Sequence, residues 1–152
     1  MEKLVLDTNV IINLVRGNHI AQKVKDFVDS KETPQLFISV VSIAETESLV
    51  VQWGWGERKV NTLRKMIGSF VCIDIASEQR ELIDAYVAVD AFSQGKKPAP
   101  NGEELNNSSR NMGKNDLWIA SIAYALEAEL LTTDDDFDHL NKRWITVKKF
   151  QR

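Results

Sequence analysis

Asp7, Glu45, Asp116 and Asp134 are the side chains of this sequence best suited to chemistry. Asp7 closes a short apolar run. Glu45 lies four residues after Val41, beyond a second run. Asp116 opens a helical stretch, and Asp134 follows a run that ends at Thr133. Carboxylates gathered at one place repel each other and raise one another's pKa. A divalent cation relieves that repulsion, and Mg2+ or Mn2+ takes hard oxygen ligands, commonly one or two carboxylates with waters and phosphate oxygens. No nitrogen or sulfur set competes. His19 and His139 are the only histidines and Cys72 stands alone, so zinc is not expected. His19, in a polar stretch, reads as a surface residue and His139 as a structural one. Each acid also has a plain role. Asp7 and Asp116 suit helix N-caps, Glu45 suits a solvated helix face, and Asp134, Asp135, Asp136 and Asp138 suit a turn and short helix. The metal reading therefore rests on joint placement.

That placement depends on the elements between the acids. Residues 3–7 read as a buried strand. A helix follows from Thr8 to Val15 and stops at Gly17, and residues 18–30 carry a second helical spacing. Pro34 interrupts, then residues 36–39 form a second strand and 41–52 a helix that Gly54 and Gly56 break. Residues 58–67 read as helix, 70–75 as strand and 77–92 as a long amphipathic helix. Residues 93–115 are rich in Gly, Pro, Asn, Ser and Lys, with Leu105 and Met112 almost the only apolar side chains. This segment reads as a long loop or flexible flap. Helix resumes at Asp116, followed by a strand over 130–133, a turn and short helix, and a last strand over 144–148. Alternating strands and helices favour parallel pairing in an α/β layered sandwich. In such sheets functional groups gather at the carboxyl ends of strands; the four acids lie near strand ends or helix starts, and parallel strands would bring them to one edge.

Composition narrows the class. The chain has 152 residues, 43% hydrophobic and 27% charged, which fits a single domain with its own core. No apolar run approaches the roughly 20 residues of a membrane span. The Met1-Glu2-Lys3-Leu4 start has no signal-peptide pattern, and a lone cysteine fits a reducing compartment, so a cytoplasmic location is expected. A membrane protein, a disulfide scaffold and a disordered chain are excluded. Net charge is −3, and setting aside the four acids leaves one net positive charge. The acidity is thus concentrated at the candidate site.

The motifs themselves resemble a family. Leu4-Val5-Leu6-Asp7-Thr8-Asn9 is similar to the opening motif of PIN-domain ribonucleases, in particular VapC-type toxins of bacterial toxin–antitoxin pairs. Residues 38–45 resemble the second block, whose Glu matches Glu45, and residues 115–121 the third, whose Asp matches Asp116. Residues 131–137 resemble the fourth, with Asp134 at its acidic position and Asp136-Phe137 as its trailing pair. The blocks occur in order and bracket nearly the whole chain. The resemblance implies a three-layer α/β/α domain with a central, mainly parallel sheet of four to five strands. It implies Mg2+- or Mn2+-dependent hydrolysis of RNA phosphodiesters, a homodimer and a cognate antitoxin reaching the acids with an Arg or Lys. Asp7 and Asp116 would be the main metal holders, with Glu45 and Asp134 completing the site. Thr8 and Asn9 would add neutral polar groups, and Thr132 or Thr133 would orient water or phosphate. Asp136 stays open as an alternative to Asp134, or as the cap of the short helix. The segment over 93–114 is longer than the family leads one to expect.

RNA contacts would come from local cations. Lys96, Lys97, Arg110 and Lys114 lead directly into Asp116. Arg58, Lys59, Arg64 and Lys65 share one helix, and Lys142, Arg143, Lys148, Lys149 and Arg152 lie toward the end of the chain. Solvated surface is the plain reading of each group. Trp53 and Trp55 suit base stacking or, more simply, core or dimer packing, and helices over 41–67 offer a dimer surface. Alternatives are a PIN nuclease of RNA processing, a non-catalytic PIN-like binding module, and a phosphotransfer enzyme with Asp7 as nucleophile. The last is disfavoured because Asn9 stands where a second Asp is needed.

Overall fold

The computed structural model describes residues 2–105 and 109–151. Five strands, β1 (Glu2–Leu6), β2 (Pro34–Ser39), β3 (Val71–Ile73), β4 (Glu129–Thr132) and β5 (Thr146–Lys149), form one sheet in the order β3-β2-β1-β4-β5. Every pairing is parallel. The helices are α1 (Thr8–Arg16), α2 (His19–Asp29), α3 (Val40–Gln52), α4 (Glu57–Gly68), α5 (Arg80–Ser93), α6 (Lys114–Leu126) and a short 3-10 helix (Asp135–Leu140). The inner strands β1, β2 and β4 are apolar at consecutive positions because both faces of the sheet are covered there. Val5, Phe37 and Leu130 join a core with Val89 and Phe92 of α5 and Ile119 and Ile122 of α6. Their neighbours Leu4, Leu6, Ile38 and Leu131 point the other way, into a core with Val10 and Ile11 of α1, Val24 of α2, Val50 of α3 and Leu63 of α4. This is the three-layer α/β/α arrangement with a parallel sheet of five strands.

Several boundaries differ from the sequence reading. Pro34 opens β2 rather than interrupting the chain before it, a strand position that tolerates a missing N–H. Helix α5 begins at Arg80 rather than residue 77, because Gln79 closes a turn through its backbone N–H and its side-chain carbonyl onto Ala76. The third strand is trimmed to Val71–Ile73. The last strand starts at Thr146, after a tight turn in which Lys142 takes a φ of 65°. Strand β4 ends at Thr132, so Thr133 lies beyond it. The segment between α5 and α6 carries little regular structure, but its described residues are tied to the body. Ala99 and Met112 are buried, Leu105 packs on the same core, and the Arg110 N–H donates to the Ser93 carbonyl at 2.7 Å.

Strand order sets where a site can form. Strands β2 and β3 lie on one side of β1, and β4 and β5 on the other. The winding of the connections therefore reverses between β1 and β4 while the strands stay parallel, and in such sheets a crevice opens outside the carboxyl ends at that point. Asp7 ends the link from β1, with its N–H on the Leu131 carbonyl at 3.0 Å, and Thr132 ends β4.

Candidate active site

The crevice holds the acids that the sequence singled out. Asp7 is buried, 3% exposed, and caps α1 by accepting from the Thr8 N–H at 2.8 Å with Oδ1. Its other oxygen, Oδ2, accepts from the buried Thr132 hydroxyl at 2.8 Å. That hydroxyl oxygen also accepts from the Asp134 N–H at 3.0 Å. One threonine thus joins the first acidic block to the fourth across the switch point. Thr8 does the same toward the second block. Its hydroxyl donates to Glu45 Oε1 at 2.7 Å and lies 3.2 Å from the Ser42 hydroxyl. Ser42 was not singled out in the sequence, although it sits one turn before Glu45 on the same face of α3.

The plain roles divide unevenly. Asp7 is an N-cap and also faces the crevice. Asp116 is not a cap: Gly113 holds that position, and Asp116 lies in the first turn of α6. Its carboxyl is half-buried and points to where the other acids gather. Asp134, rather than Asp136, caps the 3-10 helix by accepting from the Asp136 N–H at 3.1 Å. Asp136 is exposed at the rim.

The electrostatics report crowding. Burial pushes the Asp7 carboxyl up from 3.8 to about 6; hydrogen bonds from Thr132 and Thr8 pull it back, and Asp134 and Glu45 add repulsion. Asp116 rises to about 7, first by burial and then by repulsion from Asp7, Asp136, Asp134 and Glu45. Among the described residues, no cationic side chain is among the groups acting on either carboxyl. The nearby Lys149 is engaged outward, donating to Asp135 at 2.7 Å and Asp138 at 2.9 Å. Among the described residues, no three acidic, His or Cys side chains stand in a ready-made metal cage. A cage is not what Mg2+ requires, since it keeps several waters and uses one or two carboxylates. An all-oxygen donor set with uncompensated negative charge fits such an ion.

The remaining candidates are dispersed. Asn9 is exposed on α1, and Thr133 lines a shallow depression with Asn13, Ile20, Asp135 and Phe150, while it is Thr132 that bonds to Asp7. Thr132, not Thr133, is therefore the threonine at the site. Lys114 begins α6 two residues before Asp116. Arg110 lies beside His139, whose Nε2 is 2.8 Å from the Ser93 hydroxyl. Lys96 and Lys97 are exposed just beyond α5. Arg143 pairs with Glu103 at 2.7 Å, and Lys148 lies over the Phe27 ring. Arg152 and residues 106–108 lie outside the described residues.

Comparison with known proteins agrees with this fold. The family signature described as PIN domain matches residues 4–143. Among solved structures, the fold is similar to a chain of VapBC2 from Rickettsia felis bound to a promoter DNA fragment. The TM-score is 0.71 at 19% identity, over 98% of this chain and 99% of that one. It is also similar to VapBC-1 from nontypeable Haemophilus influenzae, with a TM-score of 0.64 at 22% identity over 97% of each chain. Mycobacterium tuberculosis VapC20, a sarcin-ricin loop cleaving toxin, gives a TM-score of 0.62 at 13% identity over 91% of this chain and 95% of that one. No curated protein matches the sequence.

Proposed function

The chain belongs to the PIN-domain family, and from that premise we propose that it is a metal-dependent endoribonuclease, the toxin of a toxin–antitoxin pair. The observation that carries the reading is the pair of raised carboxyls, Asp7 and Asp116, on which no cation among the described residues is seen to act. Asp7 and Asp116 would hold Mg2+ or Mn2+ directly, and Glu45 and Asp134 would complete the shell through water. When bound, the ion supplies polarisation of the scissile phosphate and a more acidic water. The protein's own groups do the rest. Thr132 and Thr8 lock the rotamers of Asp7 and Glu45. Asp134, whose N–H donates to the Thr132 hydroxyl, would orient an attacking water through its carboxylate. Lys114, at the start of α6, would meet a phosphate flanking the cut.

The partners follow from the same reading. A cognate antitoxin is supported by the VapBC complexes of similar fold, and its Arg or Lys would compensate the acids in place of the ion. Two copies of the chain would form the homodimer. The test is cleavage of labelled RNA by the purified chain with Mg2+, with Mn2+ and with chelator. Asp7→Asn and Asp116→Asn are expected to abolish cleavage while the thermal transition persists, because Asn is as good an N-cap as Asp at position 7. Cleavage by either variant at the unsubstituted rate overturns the assignment.

A further inference from the structure

A second feature lies on the flank where α1 and α3 end and α4 begins. The Trp53 and Trp55 ring centroids are 5.8 Å apart, with the rings tilted by 41°. Gly54 between them takes a φ of 68°, a left-handed turn that L side chains resist, and so brings both indoles to one side. The guanidinium of Arg16, the last residue of α1, lies 5.0 Å from the Trp53 centroid and 5.7 Å from that of Trp55. The Lys59 ammonium lies 5.2 Å from Trp55. Trp55 is half-buried and packs on the core. Core packing does not account for Trp53, which is 45% exposed.

The charges around the indoles are also unusual in what holds them. Among the described residues, Arg16, Arg58, Lys59 and Lys65 form no salt bridge, while Arg64 pairs with Glu47 at 3.2 Å. An arginine held by ring faces keeps its in-plane N–H donors free for phosphate. Helix α4 adds four cations against Glu57 alone.

We propose that this platform docks single-stranded RNA, with one base stacked on the outer face of Trp53 and the flanking phosphates on Arg16, Lys59 and the cations of α4. The proposal rests on the reading of RNA as substrate. Helix α1 starts beside Asp7 and runs nine residues to Arg16, roughly 13 Å along its axis. A few nucleotides of an extended strand cover that span. The platform would therefore read RNA outside the scissile bond and favour substrates long enough to reach it.

The test uses the full chain carrying Asp116→Asn, so that RNA is bound and not cut, and an oligoribonucleotide of about a dozen nucleotides. Binding is followed by tryptophan fluorescence and by equilibrium titration. Trp53→Ala is expected to weaken binding about tenfold, the worth of one lost base stack, while Trp53→Phe retains most of the affinity. Arg16→Ala is expected to lower the slope of log affinity against log salt by about one. Unchanged RNA affinity in Trp53→Ala overturns the proposal. So does a change in oligomeric mass or in antitoxin binding with RNA affinity intact, which would make the platform a protein interface. In the chain with Asp116 intact, cleavage of a dinucleotide, too short to reach the platform from the scissile bond, is expected to depend on Asp7 and not on Trp53. Stacking on Trp53 without any cleavage would sink the nuclease reading and leave this one standing.

Discussion

Thr132 carries more of the site than its short side chain suggests. Its hydroxyl donates to Asp7 and accepts from the Asp134 N–H, and the residue is fully buried. Replacing it with Val leaves a buried carboxylate oxygen and a backbone N–H unpaired. We expect Thr132→Val to cost about 2 kcal/mol in denaturant unfolding. Losing the hydroxyl also removes a bond that lowers the Asp7 pKa, so the acid limb of the activity profile should move to higher pH; Thr132→Ser should restore both. Asp116 acts on stability in the opposite sense. Its pKa rises from 3.8 to about 7 in the fold, so between those values the folded state binds more protons than the unfolded chain. This contribution to stability is complete below pH 4 and is lost as pH rises through 7. In metal-free protein at pH 8, Asp116→Asn should therefore stabilise by about 1–2 kcal/mol after discounting for partial exposure, and should flatten the fall between pH 4 and 8. A Tm at pH 8 below that of the unsubstituted protein would show that the crowding is not there. The acid positions were legible because Asp7, Asp116 and Asp134 sit at element ends and Glu45 lies in the second turn of α3, while the sequence left Thr132 and Thr133 unseparated. Thr132 and Thr133 are adjacent and alike in sequence, and only the folded strand end shows that Thr132 meets Asp7 while Thr133 lies beyond β4.

Among the elements, the short 3-10 helix and the segment between α5 and α6 depend on each other. Ser93, at the end of α5, is buried; its hydroxyl donates to the Arg110 carbonyl at 3.0 Å and lies 2.8 Å from His139 Nε2. Arg143 donates to the His139 carbonyl and pairs with Glu103. Burial, followed by the charges of Arg110 and Arg143, lowers the His139 pKa to about 4. Neutral His139 therefore contributes stability above pH 6.5 that is lost as pH falls toward 4. Ser93→Ala should cost about 1–3 kcal/mol and should speed limited proteolysis between residues 94 and 113. Equal cleavage rates in the two proteins would mean that the segment is held elsewhere. Periodicity marked this stretch only as poor in apolar residues. What pins it is the pair of hydrogen bonds between Ser93 and Arg110, 17 residues apart, together with buried Ala99 and Met112, while Ser93 is itself set against His139, and no local pattern encodes such partners. Strands and helices were legible for the converse reason, since Leu4-Val5-Leu6 and Leu130-Leu131 declare by themselves that both sheet faces are covered.

At the scale of the whole molecule, five parallel strands focus negative charge at one edge of a chain whose net charge is only −3. The fold keeps that edge open at a stability cost, because Asp7 and Asp116 are both harder to ionise than in the unfolded chain. A ligand that binds the folded acids and not the unfolded chain returns that cost by mass action, about 2.7 kcal/mol at a hundredfold excess over Kd. Mg2+ or Mn2+ should then raise the Tm at pH 8. The gain should shrink as pH falls from 7 to 6 and below, because protons on Asp116 and then Asp7 compete with the ion. Chelator should return the Tm to its starting value, and Asp116→Asn should remove most of the response. A differential scanning series over pH and metal concentration measures all of these effects without any RNA. A Tm indifferent to Mg2+ and Mn2+ at pH 8 would mean that the acids are gathered for a cationic side chain of a protein partner rather than for an ion, and the hydrolytic reading would fail with it.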